Sequence, residues 1–266
     1  MTASTAHPVE TPPRNLAIRL RGLVFDVLFY LNLAAFLLIG LPLLLGPRKW
    51  AIRALQLWGR ASLWLCRVIV GMDVEFRGLD NIPEGPLLVA CKHQSQWDTF
   101  AIFPLFDDPV SVQKHELFWI PVHGWFSLKF RMIQVYRGGG RKVVEKLVQD
   151  ARIRIADGRQ IVIFPEGTRT AAGAPPRYKR GIGAMYGGLG VACLPIALNS
   201  GMFWPRRSSL RLPGTVLVEI LEPIPPGLEQ DVFQKRLEKT IETASNRLIA
   251  ETEAARKQER RNDEPA

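Results

Sequence analysis

Lys92-His93-Gln94-Ser95-Gln96-Trp97-Asp98 sets one imidazole and one carboxylate five residues apart at the end of an apolar run. That run, Pro86-Leu87-Leu88-Val89-Ala90-Cys91, is short and follows the turn signal Pro83-Glu84-Gly85, so it reads as a buried strand with His93 at its exit. Residues five apart on a helix are separated by roughly 140° and do not share a face. The spacing therefore predicts His93 in the turn and Asp98 in the first turn of a helix over about 97–106, reaching back to the ring. A carboxylate on one ring nitrogen fixes the tautomer, leaves the other nitrogen as an acceptor and stabilises the imidazolium once a proton arrives. That arrangement suits a general base, although a capped helix start has the same spacing.

A second stretch bears on the choice. Gln160-Ile161-Val162-Ile163-Phe164 is another β-rich apolar run, and it empties into Pro165-Glu166-Gly167-Thr168-Arg169. An acid and a guanidinium then lie on a loop at a strand's carboxyl end, where open α/β sheets bind ligands. A solvated turn with one ion pair is the plainer reading; beside His93 and Asp98, the loop reads as the other half of a site.

With these residues in view, the chain resembles the glycerolipid acyltransferases. His93-x4-Asp98 is similar to their first signature block, and Phe164-Pro165-Glu166-Gly167-Thr168-Arg169 matches their third in full. Arg137, closing Val135-Tyr136-Arg137, resembles the phosphate-binding Arg of the second block, and Leu194-Pro195-Ile196 the fourth. The chain departs from the family at Lys92, where Asn is common, at Arg131, where the second block often has Gly, and at Thr170, where Ser is frequent. The resemblance covers about residues 74–224. It implies transfer of a fatty acyl group from acyl-CoA or acyl carrier protein to the free hydroxyl of 1-acylglycerol 3-phosphate, giving phosphatidic acid. His93 would be the base and Asp98 its orienter. Glu166 would hold the glycerol end, Arg137 and Arg169 the phosphate, and Gly167 and Thr168 would complete the substrate loop. No cofactor and no metal is implied, since the thioester is a substrate.

Composition sets the frame. The 266 residues are 47% hydrophobic, ample for a core, and carry a formal charge of +10, which asks for an anionic partner. The basic residues are scattered without a recognition motif, so no nucleic acid is expected. An anionic membrane surface and anionic substrates fit better. Cys66, Cys91 and Cys193 match no metal spacing and leave an odd count, so they read as buried thiols in a reducing compartment. That places the catalytic domain on the cytoplasmic face of a membrane.

The expected architecture is α/β, a largely parallel sheet flanked by helices, with an N-terminal membrane-associated two-helix element. Residues 1–15 read as a disordered tail, 16–70 as the helical pair, 71–256 as the acyltransferase domain and 257–266 as a charged tail. Residues 23–45 are nearly continuously apolar, about 35 Å of helix, but Asp26, Asn32 and Pro42 interrupt them. Basic residues flank the stretch equally, with Arg14, Arg19 and Arg21 before it and Arg48, Lys49 and Arg53 after it, which suits a helix that dips in and returns. Over residues 50–70, Arg53, Arg60 and Arg67 recur every seventh position among Trp and Leu, fitting a headgroup-level helix or a hairpin packed on the domain.

Within the domain, strands are expected near 73–77, 86–91, 110–113, 132–136, 160–164, 191–198 and 215–221. Helices are expected over about 142–156, 181–190 and 228–256. The glycines 138–140 with Arg137, Arg141 and Lys142 suggest a phosphate cradle, the loop 170–180 a mobile cationic flap, and the aromatic stretch 116–126 either an acyl channel or core. His115 and His123, with no partner at metal spacing, read as structural or surface residues.

The competing readings are the same chemistry on lyso-ornithine lipid, another lysophospholipid or glycerol 3-phosphate, a lipid hydrolase using Ser95 or Cys91 with His93, and a non-catalytic membrane-surface binding protein. The hydrolase lacks a Gly-x-Ser-x-Gly elbow.

Overall fold

The computed structural model describes residues 16–136, 138 and 140–263. The disordered tail expected over 1–15 and the family's second-block Arg137 lie outside the described residues. Among the described residues seven strands form one sheet in the order β1-β7-β6-β2-β5-β3-β4: β1 (Met72–Arg77), β2 (Leu87–Cys91), β3 (Pro109–Lys114), β4 (Ile133–Val135), β5 (Gln160–Ile163), β6 (Cys193–Leu198) and β7 (Gly214–Ile220). Strands β6, β2, β5, β3 and β4 run parallel, while β7 meets β6 antiparallel and carries β1 with it. The chain leaves β2, skips the place later filled by β5 and continues at β3. The carboxyl ends of β2, β5, β3 and β4 therefore open at one edge, the position at which such sheets bind ligands.

The central strand shows why the sheet is buried on both faces. Leu87, Val89 and Cys91 of β2 enter one apolar core, and Leu88 and Ala90 the other. A strand buried on both sides reads as a continuous apolar run, as this one does. Helices α5 (Gly140–Ala156), α6 (Gly181–Leu189) and α7 (Gln230–Asp263) cover the second core with Leu147, Ile182, Phe233, Leu237 and Ile241. Helix α7 runs on to Asp263, beyond the end expected near 256.

The N-terminal pair is α1 (Leu16–Ile39) and α2 (Arg48–Leu65), reversing through a 3-10 turn over Leu41–Leu44 that holds Pro42. Both helices belong to the packed body, and the apolar cores run across residue 70. Phe25 and Phe29 of α1 enter the first core, and Ala51, Ile52 and Leu55 of α2 the second. The polar residues that interrupt the apolar stretch are satisfied inside the protein, Asp26 by Arg211 at 3.0 Å and Asn32 by Ser62 at 3.2 Å. Gly59 lets α2 come close: a Cβ there would stand 2.8 Å from the carbonyl of Phe100. One face of α2 packs on the domain, as the hairpin reading expects, while Trp50, Leu57 and Trp64 stay exposed, as do Arg53, Arg60 and Arg67. Helix α1 spans about 36 Å by its 24 residues, and only 17% of its most apolar window is buried.

Two expected elements differ. The helix over 97–106 is a single turn, α3 (Asp98–Ala101), followed by a 3-10 turn over Phe103–Leu105. Pro104 is the cause, lacking a donor and disfavouring helical backbone at the residue before it. The loop 170–180 is tied down, with the Lys179 amide donating to the Pro165 carbonyl at 2.9 Å and the Tyr178 hydroxyl donating to Glu242 at 3.0 Å.

Arg131, between α4 (His123–Lys129) and β4, has φ 54°, in the left-handed region. This is the position at which the resembling family often carries Gly. A left-handed L-residue costs about 1–2 kcal/mol, glycine adds about 0.5–1 kcal/mol of unfolded-chain freedom, and the exposed 3.7 Å pair with Asp157 contributes little. Arg131→Gly is therefore expected to stabilise the protein by about 0.5–1 kcal/mol, read as a raised urea midpoint at unchanged slope. A lowered midpoint would overturn the argument from strain.

Candidate active site

Strand β2 ends at Cys91 and delivers His93 to the open edge, where one carboxylate organises the turn. Asp98 is fully buried. Its Oδ2 accepts from the amides of Gln94 (2.8 Å) and Ser95 (2.9 Å) and lies 3.0 Å from His93 Nδ1. Its Oδ1 accepts from Ser200 Oγ at 2.5 Å. A carboxylate only accepts, so Nδ1 carries the proton and Nε2 is left as an acceptor. The ring is stacked on Phe164 with centroids 4.0 Å apart and planes at 22°. Asp98 on one side and Phe164 on the other leave the imidazole little freedom, and an imidazole held this way can take a proton from a hydroxyl at Nε2.

The second half of the site comes from the loop after β5. Gly167, at φ 64°, sits where a side chain would be strained, and its amide closes back on the Phe164 carbonyl at 2.9 Å. Thr168 is exposed and Arg169 half-buried. Among the described residues the Arg169 guanidinium has no hydrogen bond or ion pair, so a cation stands free at the open edge. The following residue joins the two halves: Thr170 donates its amide to the His93 carbonyl at 2.9 Å.

Glu166 lies deeper than its loop suggests, at 1% exposure. Its Oε1 is 3.2 Å from Lys92 Nζ, and its Oε2 accepts from Thr170 Oγ1 at 2.8 Å. Lys92 also reaches Glu242 of α7, at 2.8 and 3.0 Å to its two oxygens. Tyr178 completes the group; burial first, then Glu242, pushes its hydroxyl up, so it stays a donor. Both oxygens of Glu166 are thus occupied within the protein. The departures at Lys92 and Thr170 also acquire a reason: Lys92 is the buried cation between two carboxylates, and Thr170 keeps the hydroxyl that Ser would bring.

Four participants were missed by the sequence reading. Ser200 and Glu242 lie 102 and 150 residues from their partners, and no spacing marks them. Tyr178 sits in the loop read as mobile. Lys92 did carry a signal, because an ammonium closing a fully apolar run requires a buried counter-charge. Of the remaining expectations, His115 is hydrogen-bonded to Gln134 at 2.9 Å and His123 to the Leu117 carbonyl at 3.1 Å, both structural.

The site thus joins an Asp-held imidazole, able to take a proton, to a guanidinium unpaired among the described residues, at the carboxyl edge of a mostly parallel α/β sheet. Residues 73–199 match the family described as Acyltransferase. The 1-acyl-sn-glycerol-3-phosphate acyltransferase of Pseudomonas aeruginosa is 36% identical over 200 residues, covering 73% of this chain and 78% of that one. A chloroplastic 1-acyl-sn-glycerol-3-phosphate acyltransferase of Arabidopsis thaliana is 30% identical over 233 residues, covering 84% of this chain and 64% of that one. The fold resembles the crystal structure of the 1-acyl-sn-glycerophosphate acyltransferase PlsC from Thermotoga maritima, with a TM-score of 0.72 at 21% identity over 86% of this chain and 97% of that chain. The protein belongs to the acyltransferase family and is an O-acyltransferase.

Proposed function

We propose that this enzyme moves a fatty acyl group from acyl-CoA or acyl carrier protein to the free hydroxyl of 1-acylglycerol 3-phosphate, releasing phosphatidic acid and the free thiol. The observation that carries the reading is the orientation of His93, with Nδ1 bound to Asp98 and Nε2, like the Arg169 guanidinium at the same edge, without a hydrogen bond among the described residues. The acceptor hydroxyl gives its proton to Nε2 as its oxygen attacks the thioester carbonyl. The C–S bond then breaks, and the thiolate takes the proton back from the imidazolium. Asp98 holds the tautomer and steadies the positive ring between the two steps. Arg169, with Arg137, binds the phosphate in the bidentate manner of a guanidinium. Gly167 and Thr168 shape the loop, while Glu166 acts from inside it by holding Thr170, and through Thr170 the His93 backbone.

Direct attack by the acceptor is favoured over a covalent acyl-enzyme. Ser95 is buried and its Oγ accepts the Trp97 amide at 3.1 Å. Burial pushes the Cys91 thiol well up, and its sulfur faces the Lys92 carbonyl at 3.3 Å. Neither reaches the imidazole among the described residues. Three buried free thiols fit a catalytic body on the cytoplasmic face, with the exposed apolar side of α1 in the membrane.

The test incubates detergent-solubilised protein with acyl-CoA, or acyl carrier protein, and lysophosphatidic acid, following thiol release and phosphatidic acid by mass. Equal amounts of both products support the assignment. Thiol without acylated lipid would mean hydrolysis, and product only from another lysolipid would move the acceptor assignment.

A further inference from the structure

The aromatic segment between β3 and β4 is divided: Phe126 is buried in the second core with Phe118 and Val122 packed against it, while its other large apolar side chains face out. Trp119 is 76% exposed, Leu128 58%, Trp125 54% and Ile120 47%. A soluble surface rarely shows such a cluster without a partner, and this one is held in its outward pose. The Trp119 indole donates to His115 Nε2 at 3.0 Å, His115 is fixed by Gln134, and its ring stacks on Tyr136 with centroids 4.2 Å apart. Val122, at φ 63° and ψ −53°, turns the chain there in a conformation that a β-branched residue rarely adopts.

The neighbourhood says what covers the cluster. Helix α4 is docked on the turn that ends the apolar N-terminal helix. Phe126 meets Phe36 of α1 at 5.3 Å, and Lys129 Nζ donates to the carbonyls of Leu44 (2.8 Å) and Gly46 (2.6 Å). The outward residues of α4 therefore continue the exposed apolar end of α1, where Leu38, Ile39 and Leu45 also face out. Exposed Trp among aliphatic side chains is the composition that settles at the level of lipid headgroups. The segment also leaves the carboxyl end of β3, the edge that carries His93 and Arg169.

We propose that residues 117–128 form a second membrane contact, separate from the N-terminal helices, that lies in the headgroup layer and presses the open edge of the sheet against the bilayer. The contact stands on packing and exposure, and it holds whichever lysolipid is the acceptor.

The test uses the full chain in vesicles of phosphatidylcholine and phosphatidylglycerol, with an environment-sensitive fluorophore on a cysteine introduced as Ile120→Cys and, for reference, Val232→Cys on α7. Cys66, Cys91 and Cys193 are buried with thiols pushed up by burial, so the introduced thiols label selectively. The expected result is blue-shifted emission at position 120, quenched several-fold more by lipid carrying a doxyl group near the headgroup than emission at 232. Quenching of both positions by aqueous iodide alone would overturn the proposal. So would a blue shift at 120 that ignores the doxyl lipid and grows with protein density, which would mean that a second copy covers the patch. A second variant, Trp119→Ser/Trp125→Ser, is expected to raise KM for vesicle-borne acceptor about tenfold, with turnover of a dissolved short-chain acceptor unchanged. Equal loss on both acceptors would overturn the proposal. Absence of any acyl transfer in the parent enzyme would count against the acceptor assignment and leave the fluorescence result standing.

Discussion

His93→Ala is expected to lower acyl transfer by about 10²–10⁴-fold, the range for loss of a positioned general base, with the fold retained. The retention follows from the bonds that remain. Asp98 keeps two backbone amides on Oδ2 and Ser200 on Oδ1, so no buried charge is orphaned, and the backbone link from the His93 carbonyl to Thr170 does not involve the ring. The checks are steady-state turnover beside near-ultraviolet circular dichroism in the same detergent. Asp98→Asn should fall comparably, because an amide cannot impose the Nδ1-protonated tautomer as a carboxylate does. A His93→Ala protein that transfers acyl groups within a factor of three of the parent would remove the imidazole from the mechanism.

Lys92→Met is expected to destabilise the protein by about 3–5 kcal/mol, the usual cost of removing one partner from a buried ion pair. Glu166 is 1% exposed and Lys92 2%, so the stranded carboxylates have little water to turn to. At about 2–4 °C per kcal/mol for a chain of comparable size, thermal unfolding in detergent should begin on the order of 10 °C lower. Adding Glu166→Gln and Glu242→Gln should recover much of the loss, since neutral amides tolerate burial better than lone charges. Turnover should also fall in the single variant, because Glu166 holds Thr170 and Thr170 holds the His93 backbone. A neutral Lys92→Met would mean that the three charges do not act as a unit.

Much of the site was legible in advance because its two halves are local. His93 and Asp98 lie in one turn, and the loop at 165–169 follows directly from a strand whose apolar run and breaker residues announce both ends. The strand pattern carried the fold class for the same reason: β2 is apolar throughout and β5 from Ile161 onward, which a half-solvated antiparallel strand would not be. The single-turn α3 was in principle readable from Pro104. The exposed side of the aromatic segment was not, since Trp, Ile and Leu at irregular spacing look the same in a core and on a surface.

The sequence alone determined the largely parallel α/β class, the pairing of His93 with Asp98 and the loop that carries Arg169, because each depends on contacts within about ten residues or on continuous apolar runs alternating with helical periods. Only the tertiary structure decided that Ser200 clamps Asp98, that Lys92 is neutralised by Glu166 and Glu242, and that the N-terminal helices share the domain's cores. Those contacts join residues 74 to 150 apart around Asp98 and Lys92, and 185 apart between Asp26 of α1 and Arg211, and their partners are chosen by strand order and helix docking, which no local spacing records.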